Sequence, residues 1–113
     1  MTKESDWKLL RELKPVLLER LCERILAECQ QAIAEEGRSA HERYLALFNL
    51  LRERNEDVAH CFDDHRRSNA TMKLVAIHQC GLLEDEELAR FSEGTQETVR
   101  ALSTPPGGSK QTS

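Results

Sequence analysis

Asp63-Asp64-His65-Arg66-Arg67-Ser68-Asn69 decides the fold, because it lies in the middle of a stretch that contains no helix-breaking residue. Between Gly37 and Gly81 the chain holds neither glycine nor proline. As one helix that stretch would be ~60 Å long, whereas a compact chain of this size has a radius of gyration of ~13 Å. The apolar stripe Tyr44, Phe48, Leu51, Val58, Phe62 keeps helical spacing up to the quoted segment. It lapses through those polar residues and resumes at Met72, Val75, Ala76 and Cys80. The spacing predicts two helices broken between Phe62 and Asn69, with Ser68 capping the second and Gly81 closing it. One long helix over residues 40–80, held in a dimer, is the alternative.

Moving toward the N-terminus, Ser39-Ala40-His41-Glu42 has the pattern of a capping box, and Gly37 can take the left-handed conformation that ends a helix. Leu10, Leu13, Leu17, Leu21 and Leu18, Cys22, Ile25, Cys29, Ile33 make a broad helical stripe, starting near Ser5 or Asp6 as a cap. Pro15 falls inside it and predicts a kink or restart, with Trp7–Leu13 as a short lead-in. Toward the C-terminus, the acids of Glu84-Asp85-Glu86-Glu87 suit the positive end of a short helix. Ser92 can cap a last helix to Leu102. That helix contains Gly94, Thr95 and Thr98, poor helix formers, and is expected to be the least stable element, a candidate latch.

The expectation is an all-α fold: a small bundle of four to five helices, the first two long and antiparallel. Leu17, Leu21, Ile25, Phe48, Leu51, Val58 and Phe62 are the expected core between those two. Residues 1–102 are read as one bundle domain. Residues 103–113 (Ser-Thr-Pro-Pro-Gly-Gly-Ser-Lys-Gln-Thr-Ser) have no apolar side chain to bury and are expected to form a disordered tail.

Composition narrows the function classes. The chain has 113 residues, with 16 Lys and Arg against 20 Asp and Glu, a net charge of −4 that argues against a nucleic-acid coat. Aromatic residues for base stacking are also scarce beside the arginines, so nucleic acid is disfavoured. Five glycines and three prolines, two of each within Pro105–Gly108, are too few for an all-β protein. No run approaches the ~20 apolar residues of a spanning helix, so no membrane partner is expected. Met1-Thr2-Lys3-Glu4-Ser5-Asp6 leads into a charged helix with no apolar signal core. The expectation is a cytoplasmic protein of bacterial style, with its four cysteines as reduced thiols.

Sites for chemistry are few. His60, Cys61, His65, His78 and Cys80 lie close in sequence, and Cys61 and His65 are one helical turn apart. However, there is no Cys-x-x-Cys, and His78 and Cys80 diverge on a helix, so no metal is expected. Cys61 has histidines nearby, but no glycine-rich turn offers an oxyanion hole. Phosphate-binding glycine loops and Glu-x-x-His pairs are missing from the sequence. No cofactor and no enzymatic activity are expected.

Two regions can make contacts. His65, Arg66, Arg67 and Lys73 form a basic junction able to meet an anion or a partner, unless the arginines pair with Asp63, Asp64 or the acids of 84–87. Helix 1 carries apolar residues on more than one face, and Trp7, Leu9 and Val16 are its candidate partner surface. The expected function is that of a small non-enzymatic protein–protein interaction or regulatory module. Its partner would be another protein or a second copy, in a homodimer. The alternative is a ligand-, anion- or metal-binding regulator built on His65, Arg66 and Arg67.

Overall fold

In a computed structural model, which describes residues 3–103, the capping box at Ser39 is formed. The Glu42 N–H donates to Ser39 Oγ at 3.0 Å, and the Ser39 N–H donates to the Glu42 carboxylate at 2.9 Å. This box starts α2 (Ala40–Phe62), which returns along α1 (Glu4–Ala34) after a turn where Gly37 has φ of 89°. Hydrogen bonds from Arg43 to the Ile33 carbonyl and from Arg54 to Glu28 fix the two helices as antiparallel neighbours. A 3-10 turn (Arg67–Asn69) leads into α3 (Ala70–Gln79), followed by α4 (Asp85–Leu88) and α5 (Glu93–Leu102). Among the described residues there is no strand.

The break falls where the stripe lapses. Asp64 takes φ of 59°, a left-handed conformation that the short side chain of Asp tolerates better than most. Asn69 then ties the loop to itself: its amide donates to the Asp64 carbonyl at 2.8 Å and its Oδ1 accepts from the Arg66 N–H at 2.9 Å. Asn69, rather than Ser68, therefore stands at the start of α3. Gly81, with φ of 73°, closes α3 in a Schellman-type turn in which the Leu82 N–H reaches the Ile77 carbonyl.

The restart expected at Pro15 does not occur. α1 runs unbroken through it. Pro15 and Arg11, whose carbonyl loses its helical donor, both lie on the exposed side, where the missing bond leaves no buried group unsatisfied.

The core sits at one end of the molecule. Trp7, Leu10, Leu13, Leu17 and Leu21 of α1 pack with Leu74 and Ile77 of α3, then with Leu82, Leu88, Phe91 and Val99. Two guanidinium clamps hold the α3–α4 connection onto α1. Arg20 donates to both oxygens of Glu87 and to the Leu82 carbonyl, each at 2.7 Å. Arg24 donates to the Cys80 carbonyl at 2.9 Å and the Gly81 carbonyl at 2.6 Å.

Of the core expected between α1 and α2, Leu17, Leu21, Ile25 and Phe62 are buried and Val58 is partly so. Phe48 and Leu51 are not: they remain 52% and 44% exposed. The reason is coverage. α3 and α5 have ten residues each, ~15 Å of helix apiece, and they cover only the end of the hairpin formed by the start of α1 and the end of α2. The rest of the hairpin extends past them, which makes the molecule 51 × 32 × 22 Å with a radius of gyration of 16.6 Å.

α5 is better anchored than its composition suggests. Val99 is fully buried, and α5 is held at its start by buried Asp6, which lies inside α1 instead of capping it. Ser103, expected in the tail, is buried and hydrogen-bonded to the Val99 carbonyl and to His78. The remainder of the expected tail, residues 104–113, lies outside the described residues. By comparison, α2 buries only Cys61 and Phe62.

Candidate functional site

At the basic junction, each of the four side chains singled out from the sequence is engaged within the fold. Arg66 pairs with Asp64 at 3.1 Å, one of the carboxylates expected for it. Arg67 reaches instead to Glu4 of α1, with bonds of 3.0 and 3.1 Å, and its guanidinium lies 5.6 Å from the centre of the Trp7 ring. Lys73 Nζ donates to the His60 carbonyl at 2.8 Å. His65 stacks on Phe62, and its Nε2–H donates to the Cys61 carbonyl at 2.7 Å. Burial holds the His65 imidazole below its ordinary pKa, against that hydrogen bond, which favours the charged ring. Among the described residues, no group of three or more His, Cys, Asp or Glu side chains is placed to hold a metal ion.

The three candidate partner residues of α1 are divided. Trp7 is buried, flanked by the guanidinium groups of Arg11 and Arg67, so its ring is not part of an outer surface. Leu9 is partly buried against the core. Only Val16 is exposed.

The larger apolar surface lies further along the hairpin. Arg54 bonds to Glu28 across the helices and to Asp57 within α2, and the two acids mark one side of the pair. The helical repeat of 3.6 residues places Leu26 and Ile33 of α1, and Tyr44, Phe48 and Leu51 of α2, on the opposite side. All five are exposed, Leu26 and Tyr44 by more than 60%. Their spacings, seven on α1 and four then three on α2, are those of a bundle seam. Arg52 lies over the Phe48 ring at 5.7 Å at the edge of this face. The stripe on α2 is legible as apolar in the sequence, but its spacing points to the core, where the structure does not place it. The signal that it lacks a cover is the mismatch between two long helices and three short ones.

Among the described residues no helix is long and apolar enough to cross a membrane. Set against models of protein families, characterised proteins and solved structures, the chain matches none of them.

Proposed function

We propose that this protein is a non-enzymatic interaction module whose working surface is the apolar face of the α1–α2 hairpin, and that a second copy of the chain occupies it. The observation that carries this reading is the exposure of Leu26, Ile33, Tyr44, Phe48 and Leu51 together on one side. Two such faces laid together give a four-helix bundle, the arrangement that seam-like spacing favours. The contact is self-complementary and closes on itself, as a two-fold dimer requires.

This face spans residues 26–33 of α1 and 44–51 of α2, about two turns of each helix. Five large apolar side chains in it form the kind of patch that single chains rarely leave in water.

Sedimentation equilibrium tests the reading. The expected mass is twice the 12.9 kDa of one chain, unchanged by a chelator, and returned to one chain by Phe48→Glu with helicity intact. A wild-type mass of one chain at every concentration up to the solubility limit would overturn it.

A further inference from the structure

Two of the four cysteines are brought together by the fold. Cys61 lies in the last turn of α2 and Cys80 at the end of α3, and their sulfur atoms are 3.3 Å apart. A disulfide bond of ~2.05 Å needs them only about 1.3 Å closer. Cys80 adjoins Gly81 in the turn that ends α3, where a small backbone shift can supply that approach. Cys22 and Cys29 offer no comparable pair, since seven residues on one helix separate them by ~10 Å along its axis.

The two thiols differ in access. Cys61 is fully buried, whereas Cys80 is partly exposed and opens into a cleft of about 490 Å³ between the hairpin and the end of α3. The cleft is also lined by Arg24, Arg54 and Asp57. The hydrogen bond from the Cys61 thiol holds the Cys80 pKa below its ordinary value, against burial and Asp57, with help from Arg24. Cys61 is pushed up by the same hydrogen bond and by burial, so it keeps its proton.

We propose that Cys61 and Cys80 are a peroxide-oxidisable dithiol, in which Cys80 attacks the oxidant and Cys61 resolves the product into an intramolecular disulfide. The Cys80 thiolate attacks one oxygen of a hydroperoxide. An S–O bond forms, the O–O bond breaks, and the other oxygen leaves as an alcohol or water, taking the proton that Cys80 gave up. Cys80 is then a sulfenic acid. The Cys61 sulfur attacks that sulfur, the S–S bond forms and the S–O bond breaks. Hydroxide leaves with the proton of Cys61 as water. The two thiols lose two electrons and the hydroperoxide gains them. The bond then joins the ends of α2 and α3 beside the mouth of the cleft.

Peptide mapping of the full chain tests this. Reduced protein freed of reductant is treated with hydrogen peroxide, alkylated and digested without reduction. The expected result is a fall from four titratable thiols to two, with one linked peptide pair containing Cys61 and Cys80 from a single chain. Cys80 should be oxidised severalfold faster than buried Cys29, because it opens into the cleft and its thiolate accepts a hydrogen bond from Cys61. In Cys61→Ser the sulfenic acid should persist on Cys80 and be trapped by dimedone. Because the map is made on the wild-type chain, misfolding of a variant does not shield the proposal. Oxidation of Cys22 and Cys29 as fast as Cys80, or links only between chains, would overturn it.

Discussion

Asp6, in the first turn of α1, is the N-terminal anchor of α5: its carboxylate accepts the Ser92 N–H at 2.9 Å and the Ser92 hydroxyl at 2.6 Å, across 86 residues of sequence. Thr95 Oγ1 adds a third bond at 2.7 Å. The N–H of the residue that opens α5 is thus met by a charge from another helix, which also opposes the positive end of its dipole.

That geometry sets a pH dependence. Burial raises the Asp6 pKa, but the hydrogen bonds from Ser92 and Thr95 outweigh it and hold the group below its ordinary value. A carboxylate lowered on folding contributes stability above its unfolded pKa of ~3.9, and that contribution is lost as pH falls through the folded value. Urea melts across the acid range should therefore show a decline that Asp6→Asn flattens. At neutral pH, Asp6→Ala should cost about 2–3 kcal/mol, the range for a lost cap with charged hydrogen bonds. A neutral-pH midpoint unchanged in Asp6→Ala would mean that α5 does not depend on this anchor.

Hydrogen exchange should rank the elements by burial rather than by helix propensity. In protein dilute enough to be a single chain, amides of residues 42–50 should exchange before those of 96–102. The first set lies on a helix with no buried residue before Cys61, the second around fully buried Val99. Raising the concentration should protect 42–50 and leave 96–102 unchanged. The reverse order in dilute protein would restore α5 as the weakest element.

Arg20 and Glu87 should prove the strongest of the ion pairs. Both oxygens of Glu87 are held by one guanidinium, and only 13% of the Glu87 side chain is accessible, against 53% for Glu4 in its pair with Arg67. The hydrogen bond from Arg20 lowers the Glu87 pKa despite burial, so this contribution also fades as pH falls below the usual glutamate range. Arg20→Ala should cost about 1–3 kcal/mol, between the exposed and buried limits for such pairs, and Arg67→Ala about 0–1 kcal/mol. Thermal melts of the two variants decide the order.

Local signals were legible and distant ones were not. The capping box at Ser39, the break near Asp64 and the closing Gly81 are each dictated by a few neighbouring residues, so the sequence reveals them directly. Asp6 reads as a cap for its own helix because nothing near it points to Ser92. Arg67 likewise reads as a partner for its neighbours, whereas its carboxylate is Glu4, 63 residues away. Such pairings depend on how helices are stacked, which periodicity does not encode. The stripe of Tyr44, Phe48 and Leu51 shows the same limit: spacing marks a face as apolar without naming what covers it.

Leu21 and Leu51 separate the two roles that apolar residues play in this hairpin. Leu21 is 6% exposed, inside the core, so Leu21→Ala removes buried methyl groups and leaves a cavity. The expected loss is about 2–5 kcal/mol at any protein concentration. Leu51 is 44% exposed, on the face assigned to the second copy. In dilute protein Leu51→Ala should change stability by no more than about 0.5 kcal/mol, as most surface substitutions do. A dimer gains stability with concentration because association draws on the folded state alone. The deficit of Leu51→Ala should therefore widen as both proteins are concentrated, whereas that of Leu21→Ala stays constant until the dimer itself is lost. Denaturant melts of wild type and both variants at a low and a high concentration supply the comparison. Equal losses for the two variants in dilute protein would place Leu51 in the core and move α2 to another register. A Leu51→Ala deficit that never changes with concentration would remove the second copy from the hairpin face.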